Sequence, residues 1–301
     1  MIKVAWAPIY QHHLQEGHRF PMAKYSLLPE QLIYEGTLGK DQILAPQLLP
    51  EARILRTHCS DYWKQLKDLT LPGKAQRKIG FPLSQQLIDR ERTICQGTVD
   101  LAVHALVNGS AGLNIAGGTH HAYYDRGEGF CILNDIVIGA HHLIDFHGLD
   151  RILVVDLDVH QGNGTAVLAH GDDRICTFSM HGAKNYPYHK ETSDWDIALD
   201  DFTGDDEYLA LLEDALDQLF TSLQPQFVFF QSGVDVLKDD KLGRMGLSLN
   251  GCKRRDEMVF KYCKEADIPV VAVMGGGYSP EIKTIVEAHA NTFRLAQYFF
   301  G

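Results

Sequence analysis

The chain has 301 residues, 45% hydrophobic and 22% charged, which suits a globular enzyme with one large α/β domain or two small ones. Its 28 Lys and Arg against 39 Asp and Glu give a net charge of −11, which argues against a nucleic-acid binder and leaves a cationic substrate open. The six cysteines form no CxxC pair, and no apolar run nears the roughly 18 residues of a membrane span. The expectation is a reducing, cytoplasmic compartment with no membrane partner.

In chain order, Ile2–Trp6 reads as a strand, and Met1–Trp6 lacks the long apolar core of a signal peptide. Pro29–Leu55 reads as helical with short loops. Leu71–Pro82, with Pro72, Gly73, Gly80 and Pro82, reads as a loop. Leu113–Ala116 is a strand that runs into Gly117-Gly118-Thr119-His120-His121. Asn134–Phe146 repeats apolar residues at helical spacing, and the pair His141-His142 on it reads as surface. Ile152–Asp156 is a strand followed by Leu157-Asp158-Val159-His160, and Ile175–Ser179 is another. Asp205–Leu223 begins acidic and carries Tyr208, Leu212, Leu216 and Leu219 at helical spacing. Phe227–Gln231 leads into Gly233-Val234-Asp235. Cys252–Ala266 is helical. Val270–Met274 leads into Gly275-Gly276-Gly277-Tyr278, and Pro280–Phe299 closes the chain as a helix.

Short, continuous apolar strands alternating with helices predict an α/β fold with an open, mostly parallel sheet flanked by helices on both faces. No repeat or linker divides the chain, so residues 1–301 read as a single domain. The four polar motifs each end an apolar run, and in such a sheet those ends converge on one crevice. Period-2 alternation puts Asp156, Asp158 and His160 on one side if the extension continues. Three polar groups together at a buried strand end are costly unless they bind something. Two carboxylates and one histidine are a sufficient donor set for a catalytic zinc with an open position. Singly, an Asp at the place of Asp235 is more often a helix cap or turn residue and a tyrosine at the place of Tyr278 more often a core or rim residue; the glycines before His120-His121 and Tyr278 let backbone approach a ligand closely.

Together the motifs resemble the zinc-dependent histone deacetylase family, in its arginase-like fold. They read His120-His121, then Gly129-Phe130-Cys131-Ile132-Leu133-Asn134-Asp135, then Asp156-Leu157-Asp158-Val159-His160-Gln161-Gly162-Asn163-Gly164, then Gly233-Val234-Asp235-Val236-Leu237 and Gly275–Tyr278. His160–Gly164, together with Asp205–Leu209 and Lys241-Leu242-Gly243, looks most like the class IV branch.

The resemblance implies hydrolysis of Nε-acyl-lysine amides in a protein or peptide by a monomeric enzyme. It implies that Asp158, His160 and Asp235 bind Zn2+, with Fe2+ an alternative for such a donor set. Asp156 would orient His120, and Asn163 would orient His121. Class I members carry Asp where this chain has Asn163, so His121 should be less basic here. The resemblance also implies a structural K+ held by the Asp156 side chain, the backbone of Asp158, His160 and Met180, and the Ser179 hydroxyl. Gly129, Phe130, Tyr186 and Gly276 would line the acyl-lysine tunnel, with Lys24 at the place of an inner-channel arginine. Where relatives have a rim Asp, this chain has Gly80-Phe81-Pro82.

The implied reaction has a histidine taking the proton of a metal-activated water and Tyr278 donating to the oxyanion. Three enzymatic rivals share much of this pattern. An arginase-type di-manganese site needs carboxylates where Gly162 and Leu237 stand. An acetylpolyamine amidohydrolase would suit the net charge but usually carries long insertions. A long-chain lysine deacylase would need a deeper tunnel. A binding module that kept the fold without catalysis would be expected to have lost one of these residues.

Overall fold

The computed structural model describes residues Met1–Gly301. Its eight strands are β1 (Lys3–Ala5), β2 (Ile43–Leu44), β3 (Ala111–Asn114), β4 (Ile152–Asp156), β5 (Ile175–Gly182), β6 (Trp195–Leu199), β7 (Phe227–Gln231) and β8 (Val270–Val273). They form one sheet in the order β2-β1-β3-β8-β7-β4-β5-β6, and every pairing is parallel. β3, β4, β7 and β8 are wholly buried, which is why they read as unbroken apolar runs rather than as alternating ones.

Side-chain alternation splits the core between the two faces. Ile152, Val154, Phe227, Phe229, Val271 and Val273 pack on one face, against α5 (Gln85–Asn108) and α6 (Asp135–His147). Leu153, Val155, Val228, Phe230, Val270 and Ala272 face the other way, against α8 (Asp205–Leu223), α9 (Leu249–Glu265) and α10 (Ile282–Phe300). Ser84, Asn134 and Ser248 cap α5, α6 and α9 by accepting from the backbone N–H three residues on. Five more helices complete the fold: α1 (Lys24–Tyr34), α2 (Glu51–Leu55), α3 (Ser60–Lys67), α4 (Gly73–Ile79) and α7 (Asn163–Ala169).

Three expectations need correction. The stretch 71–82 is not all loop: α4 occupies Gly73–Ile79 and ends at Gly80, whose φ of +85° lets the chain turn beneath the Phe130 ring. Between Pro29 and Leu55 the chain is only partly helical, because β2 pairs with β1 there. His141 and His142 are buried, not exposed. α6 lies under the α2 segment, and the Thr57 hydroxyl meets His141 Nδ1 at 2.8 Å.

His58 makes the fold sensitive to acid. Its Nδ1–H donates to the Tyr123 carbonyl (2.8 Å), and its Nε2 accepts from the Asn134 N–H (3.0 Å) at the start of α6. Burial, against a partial opposing effect of the Tyr123 carbonyl, brings its pKa from 6.5 to about 4. The unfolded chain therefore takes a proton below about pH 6.5 that the folded chain refuses until about pH 4. The His58 contribution is complete above the upper value and is lost as the pH falls through the window, by about 3 kcal/mol. Between pH 7 and pH 4.5 the melting temperature is expected to fall further in the wild type than in His58→Gln; equal falls in the two contradict this role for His58.

Candidate metal centre and active site

The sheet order explains why motifs far apart in sequence share one site. β3, β8, β7 and β4 are consecutive neighbours in the middle of the sheet. Because all run parallel, their carboxyl ends lie side by side. The loops leaving them carry His120-His121, Gly275–Tyr278, Asp235, and Asp158 with His160.

Beyond Asp156 the extension does not continue. The chain bends through Asp158–His160, so the three polar residues are aimed separately rather than along one face. His160 Nδ1 lies 3.1 Å from Asp158 Oδ1 and 3.1 Å from Asp235 Oδ2, and donor atoms of all three residues fall within 4.8 Å of one another. Donors held at about 2.0–2.2 Å around a tetrahedral centre stand about 3.3 Å apart, so this spacing fits a metal such as zinc. The backbone shapes the cradle: a Cβ on Gly276 would overlap Asp235 Oδ2, and one on Gly233 would overlap Asp158 Oδ2.

Backbone N–H groups fix both carboxylates. Asp158 accepts from His160 N (3.0 Å) and Gly276 N (2.8 Å), and Asp235 accepts from Val159 N (3.0 Å). Burial and the Asp158 charge push Asp235 up to about 7. Burial alone would lower His160, but hydrogen bonds and charges of the two carboxylates outweigh it and raise the imidazole to about 10. The pocket is thus strongly cation-seeking.

His120 and His121 lie 4.1 Å apart between centroids, their rings tilted by 43°, beside this centre and in opposite electrical settings. His120 Nδ1–H donates to Asp156 Oδ2 (2.7 Å). Burial lowers its pKa, but the Asp156 and Asp158 charges outweigh burial and the net shift is upward. His121 Nδ1–H donates to Asn163 Oδ1 (2.6 Å), and that amide's other end donates to Glu128 Oε1 (3.0 Å). The carboxylate of Glu128 therefore sets the amide's orientation, and the amide sets the His121 tautomer, leaving Nε2 as a free lone pair. Burial and the neighbouring His120 and His160 hold His121 well below the usual histidine value.

Tyr278 closes the site. Its backbone N–H donates to Asp240 Oδ2 (2.6 Å), and Asp240 Oδ1 also accepts from Leu242 N and Gly243 N. Burial, with the charges of Asp235 and Asp158, raises the phenol well above its ordinary value, so it stays a proton donor.

Two cavities meet at this point and share His121, Gly129, Phe130, His160 and Tyr278. The inner one, of about 40 Å³, is walled by Gly276, Tyr25, Phe81 and Arg90. The outer mouth, of about 340 Å³, is walled by Tyr186, whose ring meets His121 edge-on at 5.1 Å. Consecutive left-handed residues, Gly129 at φ +57° and Phe130 at +69°, turn the Phe130 ring into the passage. A Cβ on Gly129 would come within 2.6 Å of His121 Cδ2.

Lys24 is not among the residues lining either cavity. It is fully buried behind the glycine loop, and Nζ donates to the Gly275 carbonyl (3.0 Å). Burial, opposed by the nearby acidic groups, lowers it to about 8. Of the residues expected around a monovalent cation, Asp156 and Ser179 are register partners on β4 and β5, and the Ser179 hydroxyl lies 3.0 Å from His181 Nδ1.

Sequence reading missed several supports of the site. Arg255 on α9, fully buried, donates to the carbonyls of Leu157 (3.0 Å) and Gly233 (2.5 Å), tying together the two loops that carry Asp158 and Asp235. Asp256 pairs with Arg255 and accepts from Thr292 on α10. Gln231 Nε2 donates to the Gly118 carbonyl (3.0 Å), and Asp135 accepts from Thr119 N (2.9 Å), both steadying the turn before His120. In sequence Arg255-Asp256 reads as one more pair in the charged run Lys253–Glu257, with no signal that it is buried. Nothing in the sequence marked Glu128 or Gln231.

A family model described as "Histone deacetylase domain" matches residues 18–293. The chain is 42% identical over 295 residues to an uncharacterised protein of Picosynechococcus sp., covering 98% of each. It is 30% identical over 274 residues to histone deacetylase 2 of Arabidopsis thaliana, covering 88% of this chain and 70% of that one. It spans about half the length of several other plant and animal histone deacetylases it matches, for example 55% of histone deacetylase 1 of rice. Among solved structures it superposes on a homologue of these enzymes from Aquifex aeolicus with a TM-score of 0.84 at 22% identity, over 99% of this chain and 84% of that one. That likeness bears on the fold.

Proposed function

The chain belongs to the histone deacetylase family, and from that premise we propose that it hydrolyses the side-chain amide of acyl-lysine residues, at a zinc centre held by Asp158, His160 and Asp235. Ferrous iron is the other ion this donor set suits. The observation that carries the reading is the convergence of those three donors, within 4.8 Å, beneath two histidines and Tyr278 that face the same passage.

When bound, the metal polarises the acyl carbonyl and makes water acidic enough to give up a proton near neutral pH. His121 Nε2, unprotonated because Nδ1 is committed to Asn163, takes that proton as water attacks. The same imidazole then hands it to the departing lysine amine as the C–N bond breaks, and the remaining hydroxyl proton of the new acid passes to that amine, so that water and amide become carboxylate and ammonium. His120 keeps its Nδ1 proton against Asp156, which fixes the ring beside the reacting atoms. The Tyr278 hydroxyl donates to the carbonyl oxygen as it becomes negative. Phe130 and Tyr186 hold the lysine stem, and Lys24 steadies the Gly275 peptide from behind. The reading extends to potassium at Asp156, Ser179 and the backbone of Asp158, His160 and Met180, as in the family.

The inner cavity favours a small acyl group. About 40 Å³ holds the equivalent of a few water molecules, which suits an acetyl group. The zinc-loaded protein is expected to hydrolyse an acetyl-lysyl peptide faster than the same peptide carrying a long acyl group, and faster than an acetylpolyamine. A faster long-chain substrate would contradict the acetyl assignment. Hydrolysis of the polyamine alone would contradict the peptide assignment.

A further inference from the structure

The mouth of the passage carries a charge opposite to that of the chain. With 39 acidic and 28 basic residues, an average patch of this surface is acidic. Yet the residues lining the mouth include Arg19, Lys78, Lys184 and Arg244 and not one carboxylate. All four are exposed. They come from four separate segments: the loop before α1, the end of α4, the loop after β5, and the loop between β7 and α9. Asp201 meets Arg244 at 2.5 Å and Lys184 at 3.7 Å, so one negative charge offsets part of that pair. Arg19 and Lys78 have no carboxylate within 4 Å; the Arg19 guanidinium instead stands 5.0 Å from the centroid of the Phe130 ring, on the passage wall itself. α4 adds exposed Lys74 and Arg77 in the same helix as Lys78, and its last turn holds Phe130 through the bond from Phe130 N to the Ile79 carbonyl (2.7 Å).

Resting on the acyl-lysine reading above, we propose that the preferred substrates are peptide segments in which acidic residues flank the modified lysine. Acylation removes the lysine's own charge, so the flanking residues decide the electrostatics of docking. A segment carrying Asp or Glu within two or three residues of the lysine places carboxylates over Arg19 and Lys78, where they meet unpaired cations. A Lys- and Arg-rich segment places like charges there, and a polyamine does the same. Such a rim acts on encounter and binding more than on the chemical step. It also gives this chain a means of gripping peptide at the position where Gly80-Phe81-Pro82 offers no carboxylate.

The test uses the zinc-loaded full chain and three acetyl-lysyl peptides identical except at the flanking positions, which are Glu, Gln or Lys. At low salt, kcat/KM is expected to be about tenfold higher for the Glu than for the Gln peptide and about tenfold lower for the Lys peptide, with the change in KM. At about 1 M salt, where screening acts within about 3 Å, the three should converge. In the Arg19→Glu/Lys78→Glu double variant the order should reverse. Equal or inverted rates on the wild-type chain, or an order indifferent to salt, would overturn the proposal while leaving acyl-lysine hydrolysis standing. If none of the three peptides is hydrolysed, the acyl-lysine reading fails and takes this inference with it.

Discussion

Asp235→Asn is expected to abolish metal binding and turnover while leaving the fold intact. Asp235 supplies one of only three protein donors, and the neutral amide replaces a charge that a divalent cation needs. Losing a direct ligand should weaken metal affinity beyond the roughly 10–100-fold typical of changes one bond further out. The fold should survive because Asn keeps an oxygen for the Val159 N–H, and because the substitution relieves repulsion with Asp158 in a buried setting that already pushes Asp235 up to about 7. Metal content and melting temperature separate the outcomes. Wild type should gain about 2.7 kcal/mol of stability at a zinc concentration 100 times its dissociation constant, and the variant none. A variant that retains stoichiometric metal would remove Asp235 from the site.

Tyr278→Phe is expected to keep the metal and lose roughly 10²–10³ in kcat, the usual cost of deleting one oxyanion donor. The substitution removes a single hydroxyl. The backbone N–H that anchors the loop to Asp240 remains, as do ring contacts with Phe130 and Phe20. KM should change little, because the hydroxyl acts where charge develops and not where the ground-state amide sits. Near-wild-type kcat with full metal content would exclude the role.

Much of this site was legible because its parts are local in sequence. Each strand of the central four ends in a short motif, and a parallel sheet gathers strand ends in one place whatever the order of strands. The exact runs Ile152–Asp156 and Phe227–Gln231 emerge as strands because burial on both faces demands unbroken apolar residues. The amino-terminal third was less readable for the opposite reason. α5 is 24 residues long but enclosed on several sides, so buried Arg90, Glu91, Thr93 and Thr98 interrupt any apolar stripe, and Gly97 is required where Tyr10 and Ala5 press against it. β6 is a half-exposed edge strand and β2 only two residues long, too short to leave a pattern. His141 and His142 misled because a helix's polar residues are exposed only if nothing covers that face, and cover is a tertiary fact.

The supports of the site were hidden for a related reason. Arg255, Glu128 and Gln231 act through hydrogen bonds to residues 22 to 113 positions away, and no spacing encodes such partners. The charge of the mouth is the clearest case. A net charge of −11 reads as suiting a cationic substrate, whereas the entrance carries four Lys and Arg side chains and no carboxylate. Distribution, not total, governs what approaches a site.

The central claim is that this chain is a metal-dependent acyl-lysine hydrolase, and the most direct measurement is a zinc titration of metal-stripped protein assayed on an acetyl-lysyl peptide. The rate should rise from near zero and saturate at one zinc per chain in the wild type, and should stay near zero in Asp235→Asn. Hydrolysis that persists undiminished in the stripped protein, or stoichiometric zinc binding with no hydrolysis, would contradict the account.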